Sequence, residues 1–158
     1  MNILSILIVN YRSERQLDAC LHSLADCCIN LDYEIQIINN DQDGKLSEVW
    51  EIDNPRIKII QNQSNRGFSA AVNQGYYQSR APFVMLLNPD VRVERGSVET
   101  LVTTLENYQS AGIVIPQLRN PDGTLQYSCR RFYTVWTLIM RKAPLNWFFS
   151  QHPNLKRH

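Results

Sequence analysis

Five short apolar runs recur along the chain, and three of the segments between them return apolar residues every three or four positions. The runs are rich in β-branched residues and almost continuously apolar, which is typical of strands buried on both faces of a sheet. They occupy residues 3–10, 34–39, 57–60, 83–88 and 112–116. The pattern therefore predicts five strands, beginning with the apolar opening segment.

The segments with helical spacing alternate with these strands. The first helix is predicted after Ser13, which can form a capping box with Gln16. The second covers residues 68–79, where Asn65 is a candidate cap, and the third is capped by Ser97. Alternating strands and helices indicate an α/β protein with a mainly parallel sheet and helices on both faces.

The alternation weakens after residue 116. The stretch QLRNPDGTLQYSCRRF predicts a hairpin around Pro121-Asp122-Gly123, because Gly after Pro-Asp is a strong turn signal. We therefore expect a main α/β part in residues 1–116 and a different organisation in residues 117–158.

Composition excludes several classes of protein. The 158 residues suffice for one domain with a core, and the formal net charge of +1 gives no electrostatic basis for nucleic-acid binding. The opening apolar run is too short to span a bilayer and lacks a basic leader, so cytoplasm is the expected location. The four cysteines lack the paired spacing of a zinc site and are expected to be buried and reduced: Cys20, Cys27, Cys28 and Cys129.

Candidate chemistry lies at the carboxyl ends of the strands, where open α/β sheets bind their ligands. NYRSER after the first strand is neither a dinucleotide fingerprint nor a phosphate-binding P-loop. Polar segments follow the next strands at residues 39–44, 61–75 and 88–90. With Tyr11 among them, they suit a stacked base, a ribose held by amides or carboxylates, and a diphosphate bridged by Mg²⁺ or Mn²⁺.

These segments also carry a resemblance. VNYRSERQLDACLHSL, IINNDQDG, NRGFSAAVNQG, LLNPDV and PQLRNPDGTLQYSCRR resemble, in order and spacing, the family 2 glycosyltransferases with the GT-A fold, and bacterial rhamnosyltransferases in particular. The resemblance implies inverting transfer of a sugar from a UDP- or dTDP-sugar to a saccharide or lipid-linked acceptor, in polysaccharide or cell-surface glycan synthesis. It also implies that residues 1–116 bind the nucleotide sugar and that residues 117–158 begin an incomplete acceptor-side region.

The resemblance implies a donor-binding set in which Asp90 is the ligand of Mg²⁺ or Mn²⁺. The set comprises Val9, Asn10, Tyr11, Asn39, Asn40, Asn65, Arg66, Gly67, Asn73, Asn88, Pro89 and Asp90.

Several of these residues have two interpretations. Tyr11 can stack on the base or close the end of its strand, and Gly67 and Asn73 are better explained by structural roles than by ligand contact. Asn39 stands where many relatives have an Asp that binds base or ribose, and an amide there loses the charge. Asp43 can replace that carboxylate or lie in a surface turn with Gly44.

The general base of the reaction has no candidate, because no Asp or Glu follows Asp122, and we expect it beyond residue 158. A nucleotide-sugar-binding module without turnover is therefore the alternative function, and an unrelated α/β binding domain is a third. Arg130 and Arg131 can contact a phosphate or be solvated. The aromatic and basic segment that follows suits the edge of a larger domain, a homodimer surface or a peripheral contact at the inner face of a membrane.

Overall fold

The computed structural model describes residues 3–28, 30–44, 46, 50 and 54–126. Predictions on Cys129, Arg130, Arg131 and the C-terminal segment lie outside these residues. The elements, in chain order, are β1 (Leu4–Asn10), α1 (Glu14–Cys27), β2 (Tyr33–Asn39), β3 (Ile57–Gln61), α2 (Phe68–Gln78), β4 (Phe83–Leu87) and α3 (Ser97–Asn107).

The four strands form one parallel sheet in the order β3-β2-β1-β4. The first four predicted strands are thereby confirmed, and so is the parallel sheet. In the register of the sheet, Asn10 pairs with Asn39 and Asn39 pairs with Gln61. Three amide side chains thus meet at the carboxyl edge of the sheet, where the strands leave for their loops.

Helices cover both faces of the sheet, as predicted. On one face, Ile6 and Ile8 of β1 pack with Leu17 and Leu24 of α1 and with Val98 of α3. All five side chains are almost completely buried. Burying a side chain of this size stabilises the fold by about 1.5–3 kcal/mol, so this layer is a large contributor to stability.

The opposite face is covered by α2, which approaches the sheet closely. Leu7, Val9 and Ile38 form a second apolar cluster with Ala71 of this helix. A Cβ atom at Gly75 would lie 2.9 Å from Ile38 Cδ1 and 3.1 Å from Leu7 Cδ2. The close approach of α2 therefore requires glycine at this position.

The prediction of a fifth strand at residues 112–116 is wrong. These residues form no strand, and Ile113 and Ile115 are 84% and 64% exposed. A short apolar run gives a segment the tendency to form a strand, but a strand also needs a neighbour to pair with, and this run has none in the described sheet.

Chain contacts divide the protein into two units, after Val114. In the second unit the predicted hairpin is confirmed by an antiparallel bridge between Arg119 and Leu125. Asn120 and Gly123 close its turn, since the Gly123 N–H donates to the Asn120 carbonyl at 2.8 Å. Gly123 has a φ of +81°, which side chains other than glycine rarely adopt.

Two predicted helix caps differ from the structure. Ser13 holds the N-cap position of α1, but the capping box does not form, since the Ser13 side chain makes no cap hydrogen bond and donates its hydroxyl to Asn10 Oδ1 at 2.8 Å. The hydroxyl is thus directed toward the buried Asn10 amide. Ser97 is the first residue of α3 rather than its cap, because Gly96 holds that position with a φ of +78°.

The described cysteines are free, and two of them are buried as predicted. Burial raises the pKa of Cys20 to about 11 and that of Cys28 to about 12. Both thiols therefore remain protonated at neutral pH and are poor nucleophiles. No described helix has the length and apolar character needed to cross a membrane.

Candidate functional site

A ladder of amide side chains links the carboxyl ends of β1, β2 and β3. Asn10 Nδ2 donates to Asn39 Oδ1 at 2.9 Å, and Asn39 Nδ2 donates to Gln61 Oε1 at 2.8 Å. Asn39 Nδ2 also donates to the Gly44 carbonyl at 2.6 Å, and Asn39 Oδ1 accepts from the Asp41 N–H at 3.2 Å. Asn10 and Asn39 are fully buried. These two residues of the predicted donor-binding set therefore use their amide groups for hydrogen bonds within the protein.

A second pair of amides lies on the α2 side of the same edge. Asn62 Nδ2 donates to Asn40 Oδ1 at 2.8 Å, and Asn40 Nδ2 donates to the Gly67 carbonyl at 3.2 Å. Both side chains are nearly completely buried. They fix the end of β2 to the start of α2.

The loop before α2 is shaped by its own backbone. Gly67, with a φ of +78°, is the cap residue of α2, so the predicted cap at Asn65 is wrong. Asn65 instead accepts the Gly67 N–H at 2.8 Å, which forms a turn immediately before the helix. No atom lies within 4 Å of a Cβ built at Gly67. The backbone conformation at this position therefore explains the glycine.

Tyr11, Arg12 and Asp41 form a charged group at the end of β1. Arg12 is the only non-glycine residue in the described ranges with a positive φ, at 54°, a conformation that costs about 1–3 kcal/mol. Its guanidinium lies over the Tyr11 ring at 5.3 Å from the centroid, and its Nε is 3.8 Å from Asp41 Oδ2. Tyr11 is 47% exposed as a residue, so part of its side chain remains accessible to a ligand.

Sequence reasoning did not single out Arg12 or Asp41. Asp41 follows β2 by two residues and is only 7% exposed, whereas Asp43 is exposed. The Asp43 N–H donates to Asp41 Oδ1 at 3.2 Å. A carboxylate that accepts the backbone N–H two residues ahead is a common turn feature, so the spacing in NNDQDG could have drawn attention to Asp41.

The end of β4 presents a different kind of group. Asn88 and Asp90 are exposed and Pro89 is partly exposed. The Asn88 carbonyl accepts the Val91 N–H at 3.2 Å, which closes the turn. Among the residues that the structure describes, none forms a hydrogen bond or an ion pair with the Asp90 carboxylate. Within the described part of the chain, this carboxylate is therefore exposed and has no partner.

The remaining members of the donor-binding set lie elsewhere. Val9 is buried in the apolar cluster beneath α2. Arg66 and Asn73 line an open groove of about 490 Å³ on the outer side of α2, together with Tyr77. The structure thus brings Tyr11 to the carboxyl edge of the sheet and directs Arg66 and Asn73 to the outer surface of the helix.

The resemblance implies that the end of β4 binds Mg²⁺ or Mn²⁺, and the residues there suit such an ion only in part. Across the described ranges no three His, Cys, Asp or Glu side chains are grouped to hold a metal ion. Asp90 offers one exposed carboxylate that has no partner among the described residues, which suits a hard cation that takes its other oxygen ligands from phosphates and water. The described residues therefore fit a metal that is shared with a bound diphosphate.

The chain belongs to glycosyl transferase family 2, whose model it matches over residues 5–155. Its parallel sheet with helices on both faces has the GT-A fold of the solved glycosyltransferases that it resembles.

Three proteins illustrate the similarity of this chain to known glycosyltransferases in sequence and in structure. N-acetylglucosaminyl-diphospho-decaprenol L-rhamnosyltransferase of Mycobacterium tuberculosis is 28% identical over 88 residues, which are 49% of this chain and 29% of that protein. The mannosyltransferase PcManGT from Pyrobaculum calidifontis, solved with GDP-Man and Mn²⁺, has a TM-score of 0.63 at 15% identity, over 76% of this chain and 36% of that one. TarS of S. aureus, solved with UDP-GlcNAc, has a TM-score of 0.56 at 17% identity, over 74% and 37%. The chain thus spans about a third of the length of these proteins.

Proposed function

We propose that this chain is the donor-binding part of a glycosyltransferase that transfers a sugar from a UDP- or dTDP-sugar to a saccharide or lipid-linked acceptor, with inversion. Residues 1–116 would bind the nucleotide sugar, and residues 117–158 would begin the acceptor side. The observation that carries the proposal is the open carboxylate of Asp90, exposed at the end of β4 in a member of this family.

The relatives support the substrate classes. The structural neighbours are complexes with UDP-GlcNAc and with GDP-Man and Mn²⁺, which are nucleotide-diphosphate sugars. The rhamnosyltransferase is named for an N-acetylglucosaminyl-diphospho-decaprenol, a lipid-linked saccharide. Both classes are consistent with a site that combines an aromatic ring, a carboxylate and a nearby cation.

Each group at the edge has a role in this proposal. Tyr11 offers an exposed side chain for stacking on the base, and Asp90 offers a carboxylate that would hold Mg²⁺ or Mn²⁺. When bound, the metal would neutralise charge that develops on the departing diphosphate. Asp90 could hold the diphosphate only through such a cation, because a carboxylate and a phosphate repel each other when no cation is present.

A nucleotide-sugar-binding module without turnover is the second candidate. Residues 123–158 contain no Asp or Glu, so they supply no carboxylate that could take a proton from an acceptor hydroxyl. Measuring the release of free sugar or nucleotide from a UDP- or dTDP-sugar separates this candidate from the first.

The test of the donor site is a thermal-shift titration with UDP and with dTDP, each with and without Mn²⁺. Ligand at about 100 times its Kd stabilises a protein by roughly 2.7 kcal/mol, which raises Tm by about 5–10 °C for a chain of this size. We expect a Mn²⁺-dependent shift that is lost in Asp90→Ala and retained in Asp122→Ala, the matched control in the other Asn-Pro-Asp turn. No shift with either nucleotide, from a wild type that melts cooperatively, would overturn the proposal.

A further inference from the structure

We propose that Asp41, and not Asn39, recognises the nucleoside of the donor by accepting a hydrogen bond from a ring N–H of the base or from a ribose hydroxyl. The inference rests on the proposed function, since it assumes that a nucleotide binds at this edge of the sheet. It names the residue that sets selectivity for the nucleoside within that site.

The first step is that Asn39 has no capacity left for a ligand. Its Nδ2 atom has two close partners, the Gln61 side chain at 2.8 Å and the Gly44 carbonyl at 2.6 Å. Its Oδ1 atom accepts from Asn10 at 2.9 Å and from the Asp41 N–H at 3.2 Å. An amide offers two donor hydrogens and one acceptor oxygen with two lone pairs, so the four bonds use all of them. The side chain is also fully buried, and a ligand cannot reach it without breaking the ladder.

The second step is that Asp41 does have capacity left. An ionised carboxylate has about four acceptor sites and no donor. Oδ1 accepts the Asp43 N–H at 3.2 Å. Arg12 Nε is 3.8 Å from Oδ2, which is an ion pair but too long for a hydrogen bond. Arg12 therefore compensates the charge of Asp41, and no residue in the described ranges donates a hydrogen bond to Oδ2, which lies beside Gly44.

The third step is the position of this carboxylate. Arg12 contacts both Asp41 and the exposed ring of Tyr11, so the carboxylate and the aromatic ring border the same cation at the end of β1. A base stacked on the Tyr11 ring would have its polar atoms in the plane of the stacked ring, pointing away from the stacking axis. A nearby acceptor can then read an N–H of the base or a hydroxyl of the attached ribose.

Low exposure makes this acceptor selective. The Asp41 side chain is 9% exposed, so a ligand that bonds to it displaces little water and leaves the carboxylate nearly dry. A buried polar group discriminates strongly against a ligand that lacks its partner, because the group is then left unpaired. The strained backbone of Arg12 is consistent with a functional position, since such strain persists where the surroundings impose it.

The experiment measures binding of UDP, dTDP and pyrophosphate, each with Mn²⁺, to the full chain by isothermal titration calorimetry. The variants are Asp41→Asn and Asp43→Asn, which remove one negative charge each, two residues apart in the same loop. Asn at position 41 retains the Oδ1 atom that accepts the Asp43 N–H, so the loop is expected to keep its shape. We expect Asp41→Asn to weaken binding of the preferred nucleotide about tenfold or more, and to leave pyrophosphate binding unchanged. Asp43→Asn should change neither.

A repeat with the N3-methyl form of the preferred nucleotide assigns the partner. If the difference between wild type and Asp41→Asn disappears, Asp41 bonds to the base, and if it persists, Asp41 bonds to the ribose. Undiminished nucleotide binding in Asp41→Asn, or an equal loss for pyrophosphate, would overturn the inference alone. A loss in Asp43→Asn instead would assign the nucleoside to Asp43. A wild type that binds none of the nucleotides would overturn the proposed function and the inference with it.

Discussion

The tripeptide Asn-Pro-Asp occurs twice in this chain, and the two copies differ in what their carboxylates contact. In the copy at residues 120–122, Asp122 Oδ1 accepts the Thr124 N–H at 2.9 Å and the Thr124 hydroxyl at 2.6 Å. In the copy at residues 88–90, no described residue bonds to the Asp90 carboxylate. Both copies form turns, as the backbone bonds of Asn88 and Asn120 show.

The residues after the tripeptide account for the difference. Gly123 has a positive φ, and Thr124 then presents both an N–H and a hydroxyl to Asp122. After Asp90, neither Val91 nor Arg92 carries a hydroxyl, and neither forms a described hydrogen bond with the Asp90 carboxylate. A carboxylate whose hydrogen bonds are made within its own turn has less to offer a ligand than one that is open. The same distinction separates Asn39, whose bonds are all internal, from Asp41.

The largest effect on stability is expected when a charge is placed at Asn39, whose amide group already makes its full set of hydrogen bonds. Asn39→Asp removes the donors to the Gln61 side chain and to the Gly44 carbonyl, and it buries a carboxylate that faces these acceptors. We expect a loss of about 3 kcal/mol in the free energy of unfolding at pH 7, measured by urea denaturation. Burial would raise the pKa of the new carboxyl in the folded state, so the loss should shrink as the pH falls toward about 4.

Asn65→Asp is the matched control, because Asn65 is exposed and its Oδ1 atom, which accepts the Gly67 N–H, is retained. Its unfolding free energy should change by no more than about 0.5 kcal/mol. If Asn39→Asp proved as stable as this control and bound nucleotide more tightly than wild type, Asn39 would be a ligand-binding position and the distinction drawn above would fail.

The fold could be read from the sequence wherever burial repeats. β1 is predicted well because every one of its seven residues is buried. The run at 112–116 is also apolar and rich in β-branched residues, but this pattern does not show whether a neighbouring strand exists. The predicted side-chain caps were missed for a similar reason. Ser13 has the residue type and spacing of a capping box, and only the structure shows that its hydroxyl donates to the Asn10 amide oxygen.

For the candidate site, the sequence predicted only that a ligand binds at the carboxyl edge of the sheet. Strand order and the polar residues after each strand indicate where a ligand binds, because parallel strands end on the same side. Sequence spacing does not show which polar side chains bond to each other. Asn39 and Asp41 are two residues apart. Asn39 uses its amide group in the ladder, whereas Asp41 Oδ2 accepts no hydrogen bond from the described residues.

A smaller effect is expected at the hairpin turn that holds Asp122. Gly123→Ala places a side chain at a φ of +81°, although no atom within 4 Å would clash with the added Cβ. We expect the turn to lose about 1 kcal/mol from backbone strain alone. Amide hydrogen exchange at Asn120 and Gln126, whose N–H groups bond across the hairpin, should accelerate about fivefold.

Gly112→Ala provides the comparison for this change, since Gly112 lacks a positive φ and also has open space around its Cβ position. It should leave exchange at these two amides unaltered. Equal protection in Gly123→Ala and wild type would mean that the turn at residues 120–123 does not depend on the left-handed residue.

The smallest expected effect is a change in the pKa of the Asp122 carboxyl group. The Thr124 hydroxyl and then the Thr124 N–H hold the pKa of Asp122 below its ordinary value of 3.8. Because the folded pKa is the lower one, the stabilisation is present above about pH 4 and is lost as the pH falls through the folded pKa. Thr124→Ala removes the hydroxyl bond and keeps the N–H bond, so the pKa of Asp122, followed by NMR titration, should rise part of the way toward 3.8. An unchanged pKa in Thr124→Ala would mean that the Thr124 hydroxyl does not engage this carboxylate in solution. The contact that separates Asp122 from Asp90 would then be reduced to a single backbone N–H.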